Sequence, residues 1–234
     1  IRNAHDVFGC ELLNCYAMTE TTWGGVSFLM PGDIRRGVAD RPELLNSVGQ
    51  ISPLFDIAIR DEQGNDLPQG EAGEVWLRSE ANMLCYLNLP EETADALIGG
   101  WMRTNDVGRL DDEGYLYLLD RRKFMIISGG INVYPVVVET ALDEHGAIAE
   151  SCVVGIAHPV WGEAVVAVVR LHEGQTADVA SLREFCRERL NQVQVPKHIH
   201  FVTDALPRTV TGKMQKAQVR QSLTAQPELF PWNN

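Results

Sequence analysis

No single core strand accommodates residues 108–135, GRLDDEGYLYLLDRRKFMIISGGINVYP. Acidic turn residues lead into an aromatic strand, three consecutive cations follow (Arg121, Arg122, Lys123), and an apolar run then ends on Gly129 and Gly130. A strand presents successive side chains to opposite faces, so three adjacent cations have no place in a buried one. A boundary between two bodies that handle an anionic ligand has a use for all of them. The charge balance breaks at the same place. Residues 1–120 carry 8 Lys/Arg against 21 Asp/Glu, whereas residues 121–234 carry 12 against 11. The chain is therefore read as two bodies, 1–121 and 122–234, joined by a very short link.

With 234 residues, 45% of them hydrophobic, both bodies can bury a core. The net charge of -12 argues against nucleic acid and anionic membrane surfaces as partners, and an anionic small molecule would need the local cations just described. No apolar run approaches the roughly 18 residues of a membrane span. Five cysteines, odd in number and without CxxC spacing, fit a reduced compartment and read as small core residues. A cytoplasmic setting is expected, and a homodimer is left open. The first lines lack a starting Met and read like the middle of a fold, so a fragment is expected.

Up to about residue 120 the pattern is short strands and turns. LFDIAIRDEQGNDLPQGEAGEVWLRS predicts a hairpin of an antiparallel sheet or barrel, with Leu54, Ile57 and Ile59 apolar and a turn through Gly64 and Asn65. PEETADAL predicts a short helix opened by Pro90, and GYLYLLD a strand after the turn at Asp112–Gly114. Beyond the cations, PVVVETALDEH predicts a helix opened by Pro135. AESCVVGI and EAVVAVVRL are continuous apolar runs of strand length. Val179, Leu182, Phe185, Cys186 and Leu190 follow helical spacing behind a cap at Asp178, and QKAQVRQSL predicts the last helix. His198 and His200 alternate in a strand-like run and give no metal spacing. His158 reads as a turn residue.

Four motifs carry chemistry: YAMTE (16–20), TNDVG (104–108), DRRKFMIISGGINVYP (120–135) and PRTVTGK (207–213). Taken singly, each has a bland reading. YAMTE is a strand-end turn, Asp106 an Asx-turn acid, the cations a solvated cluster pairing with Asp111, Asp112 and Glu113, the glycines a β-turn, and Lys213 a surface lysine. In this order they resemble the motifs of the adenylate-forming superfamily, which includes acyl-CoA synthetases, peptide-synthetase adenylation domains and firefly luciferase. The resemblance implies a mixed α/β fold: the end of a large adenylation domain with an antiparallel β-barrel-like subdomain, then a small, mobile α+β C-terminal lid.

It also implies roles. Tyr16 packs on adenine, Thr19 bonds the α-phosphate, and Glu20 holds Mg²⁺, for which a carboxylate is a suitable hard ligand. Asp106 accepts both ribose hydroxyls, with Asn105 where the family has Gly, and Ala17 likewise replaces a Gly. Arg121 contacts the ribose region. Lys123 is the hinge, Gly129 and Gly130 line the channel for the pantetheine arm of CoA, and Lys213 is the catalytic lysine. The implied reaction is ATP-dependent ligation of a carboxylic acid to CoA through an acyl-AMP. Alternatives are delivery to a carrier protein, a luciferase-like oxidation, or a module that only binds nucleotide. The family's phosphate loop and most of its acyl pocket would lie upstream, so this chain alone is expected to adenylate little or not at all.

Overall fold

The computed structural model describes residues 4, 7–22 and 25–233. Contacts divide the chain into two compact units, Ile1–Arg122 and Lys123–Asn234.

The first unit opens with a small antiparallel sheet of β1 (Asn14–Tyr16), β2 (Ser27–Leu29) and β3 (Gln50–Ile51). A helix, α1 (Pro31–Ala39), follows β2. It departs from the strand-and-turn expectation because its polar sequence, PGDIRRGVA, buries only Ile34 and Gly37. A Cβ on Gly37 would stand 2.6 Å from Leu45, so the glycine permits close packing. The larger sheet contains β4 (Asp56–Arg60), β5 (Gly73–Arg78), β6 (Leu97–Ile98), β7 (Trp101–Leu110) and β8 (Leu116–Arg121), all antiparallel, with α2 (Pro90–Ala96) leading into β6. The predicted hairpin is β4–β5, paired from Asp56↔Arg78 to Arg60↔Glu74. Its turn is held by Asp61, whose Oδ1 accepts from the amides of Gln63 (2.9 Å) and Asn65 (2.8 Å). Leu54 falls before the strand and is 62% exposed, unlike Ile59, which is buried. Alternation from Tyr115 into β8 sends Leu116 into one apolar cluster with Val75, Leu77 and Met102, and Tyr115 and Tyr117 into another with Leu29, Ile34 and Leu44.

Strand β7 carries a bulge. β5 and β7 pair at Glu74↔Val107 and Trp76↔Arg103, so Val75 alone faces Thr104, Asn105 and Asp106. The carbonyl of Val75 accepts from the Thr104 hydroxyl (2.8 Å), which in turn accepts from the Asp106 amide (3.0 Å). A side chain thus stands in for the missing ladder bonds, and Asp106 is turned inward. Asn105 has φ +58°, the left-handed region. Asn is the non-glycine type most at ease there, which explains why it can occupy this position. Asn105→Val should cost about 1–2 kcal/mol, whereas Asn105→Gly should be tolerated; equal melting temperatures for the two variants would contradict this. Ala17 has no such positive φ, so its methyl meets no backbone penalty.

The second unit is built on β9 (Ile126–Ser128), β10 (Ile131–Val133), β11 (Ile148–His158), β12 (Gly162–Leu171) and β13 (His198–Val202). β12 pairs antiparallel with β11 and parallel with β13. Antiparallel strands usually alternate, yet the middles of β11 (152–156) and β12 (164–169) are continuously apolar because both faces are covered there. Val165, Ala167 and Val169 pack with Val138 and Leu142 of α3 (Pro135–Asp143) and with Leu182 and Cys186 of α4 (Val179–Arg187). Ala164, Val166 and Val168 pack with Val219 and Leu223 of α5 (Lys216–Thr224) and with Phe230. Asp178 caps α4 by accepting from the Ser181 amide at 2.8 Å. His158 Nδ1 accepts from the amides of Val160 (3.0 Å) and Trp161 (3.1 Å), holding the β11–β12 turn.

The cysteine expectation is only half met. Cys152 and Cys186 are buried, but Cys10, Cys15 and Cys85 are exposed. Cys15 points away from the buried face of its strand, where Tyr16 points inward, and the others lie in irregular segments. Among the described residues, no helix is long and apolar enough to cross a membrane.

Candidate functional site

In the first unit the bulge and the end of β1 bring three of the sequence-selected residues together. Asp106, 6% exposed, accepts from the Tyr16 hydroxyl on Oδ2 (2.5 Å) and pairs through Oδ1 with Arg121 Nε (2.6 Å). Arg121 reaches it because β8 pairs Arg121 opposite Asp106. Burial pushes the Asp106 carboxyl above its ordinary range, against the opposing pulls of the Tyr16 hydrogen bond and the half-exposed Arg121. Burial and the adjacent carboxylate raise the Tyr16 phenol far above its usual value, so it remains a donor. Each Asp106 oxygen retains a lone pair, which suits a pair of vicinal hydroxyls.

The Thr19–Thr21 turn follows β1 directly. Thr19 is exposed and Glu20 is half-buried. Glu20 is fixed at both ends: its carbonyl accepts from the Met83 amide (2.7 Å), and its Oε1 accepts from the Tyr86 hydroxyl (2.8 Å). The Thr22 hydroxyl donates to the Ala81 carbonyl (2.8 Å), a further tie between this turn and residues 79–86. Burial and the bond to Glu20 push the Tyr86 phenol up to about 12. Neither Tyr86 nor Thr104 was singled out from sequence. Tyr86 lies 66 positions from its partner, and a bulge hydroxyl leaves no periodic trace.

Arg122 does not pair with the acidic turn. It reaches Glu74 Oε2 at 3.4 Å, beside Arg103 at 3.0 Å, while Asp111 and Glu113 are taken by Arg41 and Glu113 also by Arg36.

In the second unit, Lys123 is the first residue, exposed, with its ammonium 5.0 Å from the Phe124 ring centroid. Gly129 and Gly130 have φ +60° and +79° and form the two-residue turn between β9 and β10. Two successive positive φ values define a type I′ turn, which suits a tight hairpin. A Cβ on Gly129 would lie 2.8 Å from the Trp161 ring, whereas one on Gly130 would meet open space. Lys213 is exposed on a tight turn closed by Thr209 N to Lys213 O (2.8 Å) and Gly212 N to Thr209 O (2.8 Å). Arg208 anchors its base, donating to the Gly212 carbonyl (3.0 Å) and pairing with Glu150 (3.2 Å). No ion pair among the described residues engages the Lys213 ammonium.

The donor set fits a magnesium nucleotide. Mg²⁺ binds through one or two carboxylates together with substrate phosphates, so a lone Glu20 suffices. A full protein cage is not required, and no group of three His, Cys, Asp or Glu side chains suited to a metal occurs among the described residues.

Two family models match: AMP-binding enzyme over residues 1–87 and AMP-binding enzyme C-terminal domain over residues 137–213. The chain is 37% identical over 215 residues to the long-chain-fatty-acid–CoA ligase FadD13 of Mycobacterium tuberculosis (strain ATCC 25618 / H37Rv), covering 92% of this chain and 41% of the ligase. It is 41% identical over 224 residues to the 2-succinylbenzoate–CoA ligase of Geobacillus kaustophilus (strain HTA426), covering 95% and 43%. Among solved structures, the amide bond synthetase McbA from Marinactinospora thermotolerans superposes with a TM-score of 0.84 at 39% identity, over 94% of this chain and 43% of that one. The o-succinylbenzoate CoA synthetase MenE from Bacillus subtilis, solved with ATP and a magnesium ion, gives 0.78 at 32% identity, over 92% and 42%. The chain thus spans about two fifths of the length of these relatives. Its antiparallel sheets, its two matched models and its ordered motifs agree: the chain belongs to the adenylate-forming, AMP-binding enzymes.

Proposed function

We propose that the protein to which this chain belongs is an AMP-forming acid:CoA ligase. The observation that carries this reading is the convergence of Tyr16 and Arg121 on the buried Asp106. A carboxylate is a poor electrophile, and activation converts its oxygen into a good leaving group. In the first half-reaction the substrate carboxylate attacks the α-phosphorus of ATP and pyrophosphate leaves. In the second, the CoA thiol loses its proton, attacks the acyl carbon, and AMP leaves.

The chain's own residues divide the work. Asp106 accepts the ribose hydroxyls while Arg121 fixes its orientation and Tyr16 offers its ring to the purine. Thr19 donates to the α-phosphate. Glu20 would hold Mg²⁺, whose charge offsets that of the phosphates. Lys213 supplies a cation between the attacking carboxylate and the α-phosphate, where negative charge accumulates in the transition state. Gly129 and Gly130 offer backbone to the pantetheine arm, and Lys123 acts as the hinge between the two half-reactions.

The testing experiment supplies the full-length protein with ATP, Mg²⁺ and a panel of carboxylic acids, then records hydroxylamine-trapped acyl-AMP and loss of CoA thiol separately. An acid that drives both signals supports the ligase. Adenylate without thiol loss moves the acceptor to an amine, as in the name of McbA, or to a carrier protein. Lys123→Pro should lower thioester formation at least several-fold more than adenylation, because proline fixes φ where the hinge must turn. Equal losses in both half-reactions would remove the hinge role.

A further inference from the structure

We propose that Tyr86 is a positioning residue that restricts Glu20 to one-oxygen ligation of the divalent cation and thereby selects Mg²⁺ over larger ions. This rests on the reading of Glu20 as the metal carboxylate.

The geometry is specific. The Tyr86 hydroxyl donates to Oε1 of Glu20 at 2.8 Å, while Oε2 has no hydrogen-bond or ion-pair partner among the described residues. The Glu20 carbonyl is held by the Met83 amide, so backbone and side chain are both fixed from one segment. Tyr86 is itself anchored: its amide donates to the Thr93 hydroxyl (2.9 Å), and that hydroxyl donates to the Leu89 carbonyl (2.7 Å) at the start of α2. The helix therefore sets the segment, the segment sets the phenol, and the phenol sets the carboxylate.

The consequence lies in coordination chemistry. Ca²⁺ accepts six to eight oxygens at about 2.3–2.6 Å and readily takes a carboxylate through both oxygens. Mg²⁺ requires near-octahedral geometry at about 2.0–2.1 Å and prefers a single carboxylate oxygen beside phosphates and water. The phenol takes one of the two lone pairs on Oε1 and weakens that oxygen as a metal ligand, which disfavours the two-oxygen clasp, while Oε2 keeps both for the smaller ion. Such outer partners commonly govern metal affinity by about 10–100-fold.

The test uses the full-length protein as wild type, Tyr86→Phe and Glu20→Gln. Mn²⁺ binding in the presence of α,β-methylene-ATP is followed by electron paramagnetic resonance, with Mg²⁺ and Ca²⁺ as competitors. Acyl-adenylate formation is measured with each ion. Tyr86→Phe removes one oxygen and keeps the ring, and its melting temperature reports whether the fold persists. Support consists of a roughly tenfold weaker Mn²⁺ signal in Tyr86→Phe and a Ca²⁺-to-Mg²⁺ competition ratio that rises toward unity. If Glu20→Gln abolishes Mn²⁺ binding while Tyr86→Phe matches wild type in affinity and ratio, the Tyr86 proposal is overturned and the metal role of Glu20 stands. If Glu20→Gln binds Mn²⁺ as wild type does, the metal reading fails and the proposal falls with it. Should Tyr86→Phe unfold, Thr93→Val, which releases the anchor of the segment, gives the same readouts with the phenol intact, and an unchanged ratio there counts against the proposal.

Discussion

Lys213→Ala should lower acyl-adenylate formation by the full-length protein about 10²- to 10³-fold, by analogy with other preorganised charge-stabilising groups. The loss should fall on turnover, with the KM for ATP changing only a few-fold, because the role proposed for the ammonium is to act on charge that accumulates in the transition state. Folding offers no competing explanation. The side chain is exposed, and its turn is closed by Thr209, Gly212 and Arg208, none of which depends on the ammonium. An exposed substitution of this kind changes stability by about 0.5 kcal/mol or less. Hydroxylamine trapping under saturating ATP measures the effect. Activity within tenfold of wild type would remove Lys213 from the chemistry.

Asp106→Asn should raise the KM for ATP by about 10²- to 10³-fold, since the proposed ribose contacts are charge-assisted hydrogen bonds worth roughly 1.5–3 kcal/mol each, and the amide keeps only one neutral acceptor. The same change should leave the empty protein as stable as wild type near neutral pH, or more so. The sign follows from burial, which holds the Asp106 carboxyl above its ordinary range. As pH rises past the unfolded carboxylate value, the unfolded chain releases its proton while the folded one retains it. Asp106 therefore contributes stability at pH below that value, and the contribution is lost as pH rises through the folded value. An amide has no such dependence. Melting curves between pH 4 and 7 check the stability half, and a steeper decline in Asp106→Asn than in wild type would contradict it. The site thus keeps a buried carboxyl at some expense in stability once pH passes its raised folded value, a cost that the proposed ribose contact would explain.

Much of this was legible in the sequence, for reasons that differ by element. Pro135 and Asp178 mark their helices because an N1 proline removes an orphan amide and pre-sets φ, while an N-cap carboxylate accepts from one of the remaining amides. AESCVVGI and EAVVAVVRL read as strands because length limits what a short apolar run can be, although only the structure explains why neither alternates. The adenylate-forming fold came through ordered motifs. What stayed hidden depends on distance or on exceptions to periodicity. Helix α1 buries too few residues to leave a stripe, and β13 lies beside β12 in a parallel pairing that no local pattern announces. The bulge that turns Asp106 inward breaks the two-residue period by definition, and Tyr86 meets Glu20 only after the chain has passed through β2, α1, β3, β4 and β5.

One side of β11 pairs with β12, and among the described residues its other side meets no strand. An apolar strand of this length with a bare edge would be a template for cross-β association with other chains. Side chains occupy that edge instead. Glu139 of α3 accepts from the Val153 amide (2.7 Å), and Trp232 Nε1 donates to the Ala157 carbonyl (3.1 Å). Glu139 is held there by Lys216 at 2.9 Å. These few polar contacts seal the edge against self-association, so their loss would appear first as a shorter shelf life in concentrated solution, before any fall in turnover.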